Sequence, residues 1–377
     1  MSEVAQATHS SPDGHIPQLR FPGFSGVWRE NRLGNIARIF DGTHQTPKYV
    51  ENGIPFYSVE HITANQFDDT KYISEEVFER ENMRVKLERE DILMTRIGNI
   101  GMAKYIDWNV NASFYVSLAL IKKNESFNSK FLSQLIHSPN FQRQLWKRTI
   151  HVAFPQKINL GEIGKCESIL PTKPEQQKIA AFLTTVDNKI EQLSKKQELL
   201  GEYKKGLMQQ IFSQAIRFKA DDGIEFPDWE EKKLGGVGRI RKGSQLNKSE
   251  LTDTGDYPAI NGGINPSGYT DKWNTGKNTI TISEGGNSCG YINFITSKFW
   301  SGGHCYSIEE LKGDVLNRFL FQYLKFNEHL IMRLRVGSGL PNIQKGEINN
   351  FKVNLPSLEE QTKIANLLSS IDSKIEQ

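Results

Sequence analysis

The chain has 377 residues with 37% hydrophobic and 10% aromatic side chains, which excludes a single small module and fits two or three globular domains. No run approaches the roughly 18 uninterrupted apolar residues of a membrane span, so we expect a soluble, cytoplasmic protein. The formal net charge of +3 permits a nucleic-acid partner without requiring one.

The three cysteines, Cys166, Cys289 and Cys305, lie far apart and form no CxxC pair. This spacing supports neither a disulfide framework nor a zinc site, and no other metal site is expected. We therefore predict that the cysteines are small buried hydrophobic residues.

The N-terminal residues 1–16 are polar and lack the basic start and apolar core of a signal peptide, so we predict a disordered tail. A first mixed domain is predicted at residues 17–173. Its β-rich runs at 91–95 and 113–121 are bounded by Gly and Asn turns, and a helical stretch follows at 129–148.

A long helix is predicted at residues 174–217, where glycine is rare and apolar residues recur at steps of four and three. That spacing is typical of a coiled coil. Gln197 and Lys204 interrupt the apolar stripe, so we expect polar contacts to help specify the seam. Pro174 and Glu175 suit the first helical turn. A second mixed domain at 218–357, with strands near 278–283 and 290–295 and a helical stretch near 315–335, precedes a shorter second helix at 358–377.

An internal duplication is the strongest signal in the sequence. Trp28 and the residues after it recur from Trp229 onward, at an offset of 201, whereas residues 170–180 recur at 355–365, at an offset of 185. The two copies therefore agree at their ends and differ in length inside. We predict an α+β fold with two mixed α/β domains of similar fold, each followed by a long coiled-coil helix, in a pseudo-two-fold internal repeat.

Three stretches are basic and free of carboxylates, at 141–157, 232–249 and 329–345. The first and third occupy equivalent places in the repeat. One such stretch alone fits a solvated charged face equally well. Repetition favours DNA contact, because phosphate binding needs Lys and Arg clustered on one surface.

Base recognition needs paired donors and acceptors on loops, and the two copies should differ there. Arg96 matches Glu284 beside a shared Gly-Asn turn, and Arg suits guanine while Glu suits the amino group of cytosine. The candidate DNA-contacting residues are Arg38, Thr43, His44, Gln45, Arg96, Asn99, Lys104, Arg148, Lys157, Arg241, Lys242, Ser244, Gln245, Glu284, Asn287, Arg333, Arg335, Asn342 and Lys345.

The sequence offers no motif for catalysis. It has neither a glycine-rich loop for S-adenosylmethionine nor a phosphate loop for ATP, and the Asn-Pro-Ser-Gly run at 265–268 lacks the aromatic residue that clamps a flipped base. A two-headed scaffold, or a protein that binds nucleic acid without sequence preference, stays open as the alternative to a specific reader.

Leu-Pro followed by Glu-Gln-x-Lys-Ile and a helix occurs twice, at 170–179 and 355–364, in alternation with divergent domains. Over nearly the whole chain this order resembles the specificity subunits of type I restriction-modification enzymes. Residues 41–44, 91–93 and 96–101 also resemble recurrent stretches of their target-recognition domains. The resemblance implies a non-catalytic DNA-binding subunit in which each domain reads one half of a bipartite target. The helices are expected to space the half-sites and to bind methyltransferase subunits.

The same resemblance assigns methylation, translocation and cleavage to partner methyltransferase and restriction subunits. Those partners are expected to bring S-adenosylmethionine, ATP and magnesium, and no cofactor is expected in this chain. Candidate partner-binding residues on the exposed polar sides of the helices are Gln176, Lys178, Gln361 and Lys363. The second helix lacks the equivalent of residues 193–217, so we expect weaker methyltransferase binding than in an extended version.

Overall fold

A computed structural model describes residues 8–11, 14–337 and 339–377. The chain divides into two compact units, residues 1–191 and 192–377. The division falls inside the long helix α7, which runs from Lys173 to Phe212.

The described part of the first unit contains a four-stranded antiparallel sheet, a four-stranded mixed sheet, two two-stranded sheets and a set of short helices. Its elements in chain order are β1 (Thr8–Ser11), β2 (Gly14–Pro17), β3 (Arg29–Arg32), α1 (Leu33–Ile36), β4 (Ile39–Asp41), β5 (Tyr49–Val50), β6 (Ile54–Tyr57), α2 (Val59–Ala64), β7 (Lys71–Ile73), α3 (Glu75–Asn82), β8 (Ile92–Thr95), β9 (Ala103–Tyr105), β10 (Ser113–Phe114), β11 (Leu118–Ile121), α4 (Ser129–Ile136), α5 (Pro139–Arg148), α6 (Leu160–Gly164), β12 (Glu167–Leu170) and the start of α7.

The central sheet of this unit is antiparallel, with strand order β4-β11-β8-β9. Successive side chains of a strand point to opposite faces. Ile92 and Met94 of β8 therefore pack against α4 and α5, whereas Leu93 packs toward Tyr57 and Phe114 of the second sheet. Burial on both faces explains why β8 and β11 are apolar without alternation.

The second unit repeats this plan. Its elements in chain order are β13 (Glu230–Lys233), α8 (Leu234–Val237), β14 (Arg239–Lys242), β15 (Tyr257–Ile260), β16 (Tyr269–Thr270), β17 (Thr279–Ser283), β18 (Ile292–Ile295), β19 (Trp300–Ser301), β20 (Cys305–Glu309), α9 (Asn317–Phe326), α10 (Glu328–Met332), α11 (Lys345–Asn350), β21 (Lys352–Leu355) and α12 (Leu358–Glu376).

The antiparallel sheet of the second unit has the order β14-β20-β17-β18, which matches β4-β11-β8-β9 strand for strand. In both units a second sheet contains one parallel pair, β6 with β10 and β15 with β19. A further pair closes each domain, β3 with β12 and β13 with β21. The predicted α+β fold with an internal repeat is confirmed.

The structure refines the predicted elements at points where the chain turns. The helical stretch expected at 129–148 is two helices, α4 and α5, because Ser138 caps a new helix whose first residue is Pro139. The stretch expected at 315–335 is likewise divided into α9 and α10. The run at 113–121 forms β10 and β11, which belong to different sheets.

The prediction of a disordered N-terminal tail is wrong for the residues of the tail that the structure describes. Residues 8–11 and 14–17 pair as antiparallel strands, and His15 and Trp28 exchange backbone hydrogen bonds of 3.0 and 2.7 Å. Backbone pairing needs no apolar side chains, so the polar composition gave no signal for it. Residues 1–7 and 12–13 lie outside the described residues.

The long helix ends earlier than predicted, at Phe212, because Gln214 adopts a left-handed φ of 60° that stops the helical ladder. In the second unit this helix runs antiparallel to α12. The two residues that interrupt its apolar stripe make polar contacts there, as predicted. Gln197 donates to the Ile375 carbonyl at 3.3 Å, and Lys204 pairs with Asp372 at 2.6 Å.

A buried carboxylate anchors the start of each helix. Glu175 accepts two hydrogen bonds from the Arg20 guanidinium, at 2.8 and 2.6 Å, and Glu360 accepts two from Arg217, at 3.2 and 2.8 Å. Both carboxylates are fully buried. Two-point Arg–carboxylate pairing is strong and directional, so it fixes the preceding chain segment against the helix.

Removing one partner of such a pair leaves an uncompensated buried charge. We expect Arg20→Met to lower the free energy of unfolding by about 3–5 kcal/mol, measured by urea unfolding. The control is Lys165→Met, because Lys165 and Glu162 form a solvent-exposed pair that should be worth less than about 1 kcal/mol. Equal effects of the two substitutions would contradict the anchoring role of Glu175.

Candidate nucleic-acid interface

Three segments of the first unit join into one surface, which we call the first loop edge: residues 41–45 after β4, 96–99 after β8, and 149–157 after α5. Backbone hydrogen bonds hold them. The Ile158 amide donates to the Arg96 carbonyl at 3.0 Å, and the Gly98 amide donates to the Gln156 carbonyl at 2.8 Å. The Thr43 amide donates to the Phe114 carbonyl at 3.0 Å.

The second loop edge comprises residues 242–245, 284–287 and the described part of 335–342, with Ser338 outside the description. Its attachments are the same. The Ile343 amide donates to the Glu284 carbonyl at 2.8 Å, the Gly286 amide to the Pro341 carbonyl at 3.0 Å, and the Ser244 amide to the Ser301 carbonyl at 2.9 Å. The predicted match of the two Gly-Asn turns is confirmed by these contacts, and both glycines have positive φ.

Close backbone approach explains the glycine that follows β4 and β14. A Cβ atom on Gly42 would lie 2.0 Å from the Phe114 carbonyl oxygen, and one on Gly243 would lie 2.2 Å from that of Gly302. Any side chain at these positions would push the first segment of each loop edge away from the sheet.

An ion pair links the first two segments of the first loop edge. Asp41 lies 3.6 Å from the Arg96 guanidinium and also accepts hydrogen bonds from Arg84 at 2.6 Å and His44 at 2.9 Å. Burial alone would raise the pKa of the Asp41 carboxyl, but the hydrogen bonds from Arg84 and His44 outweigh it and lower the pKa below its usual value.

The second loop edge carries an ion pair at the equivalent position with the charges exchanged. Lys242 matches Asp41 and Glu284 matches Arg96, and their charged groups lie 2.5 Å apart. Glu284 also accepts a hydrogen bond from the Tyr306 hydroxyl at 2.9 Å. Burial, together with the Glu284 carboxylate, raises the pKa of that hydroxyl, so Tyr306 acts as a donor.

The sequence predicts Arg96 and Glu284 as loop residues that read bases, and the structure corrects their placement. Both are more than nine-tenths buried. Arg96 donates to the Ile158 carbonyl at 3.1 Å, directly after the third segment of its loop edge, and to the Val116 carbonyl at 2.9 Å. These side chains support the loops from beneath, and a contact with bases remains a prediction without structural support.

Four other candidates are committed to contacts within the protein. Thr43 is buried and donates to Glu81 at 2.6 Å. The half-buried candidates donate as follows: Lys104 to Asn65 at 2.7 Å, Arg148 to the Gln144 carbonyl at 3.2 Å, and Arg241 to Glu309 at 3.3 Å. These four side chains are therefore less exposed than DNA-contacting residues were expected to be. The charged groups among them still add positive potential to the surface.

The remaining candidates have exposed side chains. Those on or beside the loop edges are His44, Gln45, Asn99, Lys157, Lys242, Ser244, Gln245, Asn287, Arg333, Arg335, Asn342 and Lys345. Arg38 is also exposed, but it precedes β4 and so lies at the opposite end of that strand from Asp41. The exposed set supplies amide donors and acceptors together with positive charge, which is the combination that DNA binding uses.

The helix-start residues proposed to bind partners are corrected in part. Gln176 and Gln361 are fully buried. Each accepts a backbone amide at 2.8 Å, from Asn128 and Leu316, and donates to the preceding Leu-Pro carbonyl at 2.9 Å. The repeated Glu-Gln pair is therefore internal. Lys178 is exposed and Lys363 is half-buried, lying over the Phe21 and Phe226 rings at 5.7 and 5.6 Å, and their partner role stays a prediction.

Sequence reasoning missed two features. The first is the exchanged ion pair. The sequence shows both charge reversals, because Asp41 matches Lys242 at the offset of 201 and Arg96 matches Glu284, but nothing in the sequence shows that the two positions are in contact. The other is a set of exposed apolar side chains, Val152, Phe154 and Leu340, at the tips of both loop edges. They lie within the basic stretches already identified, in runs whose Pro and Gly indicate loops.

Burial of the three cysteines is confirmed, and desolvation raises the pKa of Cys166 and Cys305 to about 11. Among the described residues, no cluster of three or more His, Cys, Asp or Glu side chains is arranged to hold a metal ion. Within the same residues, every helix is too short or too polar to cross a membrane.

The model of the type I restriction modification DNA specificity domain matches residues 26–200 and again residues 227–377. The chain belongs to this family. The two matches correspond to the two copies of the repeat, so the chain has one specificity domain for each copy.

Individual relatives agree with this assignment. A Methanocaldococcus jannaschii protein named as the type I restriction enzyme MjaX specificity subunit is 28% identical over 93% of this chain and 88% of its own length. A Mycoplasma pneumoniae protein named as the type I specificity subunit S.MpnORF638P is 34% identical, but over 40% of each chain. The crystal structure of the type I restriction-modification S subunit from M. genitalium has the same fold, with a TM-score of 0.72, 18% identity, and coverage of 96% and 93%.

The exchanged ion pair in the second specificity domain predicts a coupled response to charge reversal. We expect Lys242→Asp and Glu284→Arg each to destabilise the protein, because each leaves like charges in contact. The double variant, which has the polarity of the first domain, should recover about 1 kcal/mol relative to the sum of the single effects, since Lys242 is half exposed. Urea unfolding of all four proteins measures this coupling, and strictly additive effects would exclude it.

The lowered pKa of Asp41 predicts a loss of stability in acid. A carboxyl whose pKa is lower in the folded state stabilises the protein fully above its ordinary value of 3.8, and that stabilisation disappears as the pH falls through the folded value. Asp41→Asn should therefore narrow the stability difference between about pH 6 and pH 2, measured by urea unfolding. The exposed Asp69→Asn serves as the control and should leave the difference unchanged.

Proposed function

We propose that the chain is the DNA-binding specificity subunit of a type I restriction-modification complex, in which each specificity domain reads one half of a bipartite target. The single observation that supports this most is the pair of loop edges. Their backbone attachments are equivalent, whereas their exposed polar side chains differ. Two readers of common construction and different surface are what two unlike half-sites require.

The chemistry of the exposed residues supports sequence reading. Gln45 and Asn99 on the first loop edge, and Gln245, Asn287 and Asn342 on the second, present amides that both donate and accept hydrogen bonds. Such groups can pair with the edge of an adenine in the major groove. Lys157, Arg333 and Arg335 beside them suit phosphate contacts, which position a protein on the duplex without reading its sequence.

We further propose that methylation and cleavage belong to partner methyltransferase and restriction subunits, and that those subunits bring S-adenosylmethionine, ATP and magnesium. The specificity-subunit names of the relatives support this division of labour. The exposed polar side of each helix is a proposed docking surface, with the exposed Lys178 on α7 and the half-buried Lys363 on α12 as candidate contacts. The role of these helices as spacers between half-sites stays a prediction.

Selection from a pool of random-sequence duplexes tests the proposed function. The purified chain, alone and with its methyltransferase subunit, should enrich a motif of two specified parts separated by an unspecified spacer. It should prefer that motif by about 10³-fold or more over unrelated duplexes. Retention of DNA without an enriched motif would favour a non-specific binder, and no retention would favour a scaffold. Methylation of duplexes by the chain alone would contradict its non-catalytic role.

The salt dependence of binding separates phosphate contacts from other contacts. Lys157→Ala should lower the slope of log affinity against log salt concentration by about one, because one phosphate contact is lost. Lys165→Ala is the matched control, since Lys165 is also exposed but pairs with Glu162. Equal slopes for the unaltered chain and Lys157→Ala, measured by titration of the enriched duplex, would remove Lys157 from the interface.

A further inference from the structure

Each loop edge ends in a projecting loop, which we call a tip loop: residues 149–157 in the first unit and the described part of 335–342 in the second. Both are closed at the base by backbone pairing. The Ile150 amide donates to the Lys157 carbonyl at 2.8 Å, while Val336 and Asn342 exchange hydrogen bonds of 2.8 and 3.0 Å. The backbone hydrogen bonds from Gly98 and Gly286 also fix the foot of each tip loop to the Gly-Asn turn. The tip loops therefore have defined positions.

The side chains at the tips are apolar and almost entirely exposed. Val152 is 97% exposed, Leu340 is 87% exposed, and Phe154 is as exposed as a free side chain. An exposed Leu alone is ordinary on a protein surface. Here the exposed apolar residues stand at equivalent places in both units, in loops whose attachments are also equivalent. None of them contributes to the cores of the units, so fold stability does not account for them.

The charge around the tip loops identifies the partner. No carboxylate occurs from residue 141 to 161 or from residue 329 to 346, and both stretches contain Lys and Arg. In the first unit the exposed Trp146 and His151 rings pack 4.8 Å apart at the foot of the loop. A partner for these loops needs negative charge to bind the cations and apolar surface to contact the tips. Duplex DNA has both, because its bases lie between two strands of phosphates.

We infer that the two tip loops enter a groove of the duplex, where Phe154 contacts bases of one half-site and Leu340 contacts bases of the other. Apolar side chains recognise the thymine methyl group in the major groove and insert between base steps in the minor groove. The flanking cations bind the phosphates on either side. This inference rests on the proposed function and adds the residues that reach the bases through apolar contact.

The test uses the full chain with its methyltransferase subunit and the same random-sequence duplex pool. Phe154→Ala should weaken binding of the motif selected by the unaltered chain by about tenfold, in the range that apolar base contacts contribute. It should leave the salt slope unchanged, because no phosphate contact is removed. Repeated selection with Phe154→Ala should relax one part of the motif, and Leu340→Ala should relax the other part.

Leu19→Ala is the matched control, because Leu19 is 91% exposed in the first unit but lies outside the loop edges. It should bind as the unaltered chain does, and Phe154→Leu should retain most of the affinity. If Phe154→Ala and Leu340→Ala select the same motif with the same affinity as the unaltered chain, the tip loops do not contact bases. That result overturns the inference while the proposed function stands. If the unaltered chain selects no two-part motif, the proposed function fails first.

Discussion

Both units depend on a buried acidic side chain at the start of a helix. A carboxylate without water is costly unless charged hydrogen bonds replace its hydration, and the Arg20 and Arg217 guanidinium groups supply them. The neighbouring glutamine uses both ends of its amide within the domain. In each unit these contacts join three parts of the chain: the segment before β3 or β13, the turn after β12 or β21, and the helix α7 or α12. The geometry of the helix relative to its own domain follows from them.

The same contacts explain why the ends of the repeat match in sequence while the interiors diverge. A buried Glu-Gln pair can be replaced only at high cost, because a different side chain would leave the Arg guanidinium and the backbone groups that the pair binds without partners. The interior sheets tolerate more. One face of the first sheet packs Leu93, Leu118 and Leu120 against the second sheet, whereas the corresponding face in the second unit is lined by Thr281 and Ser307. Strand order survives this exchange because backbone pairing sets it.

The sequence was sufficient for the repeat, the fold class, the long helix and the strands β8, β10, β11, β17 and β18, since each depends on periodicity or on matching residues. It was insufficient where the outcome depends on a partner distant in the chain. The Glu-Gln pairs look like polar surface until Arg20 and the Asn128 amide are placed against them. Arg96 looks like an exposed base reader until Asp41 and two carbonyl groups surround it. Burial of a polar group is a property of the assembled fold, and no local pattern encodes it.

The two loop edges are attached to their sheets in the same way but differ in their exposed side chains, because the attachments use backbone atoms and the surfaces use side-chain atoms. The bonds that position each segment run from backbone amide to backbone carbonyl, so a change of side chain leaves them intact. The ion pair beneath is the exception, and it has been kept by exchanging both partners, Asp41 and Arg96 for Lys242 and Glu284. A single reversal would place like charges in contact beside a buried side chain, whereas the double reversal keeps the attraction. Because the loops are attached through their backbone and through this ion pair, the exposed amides and the apolar tips can change without loss of the attachment. The target sequence can then change without a new fold.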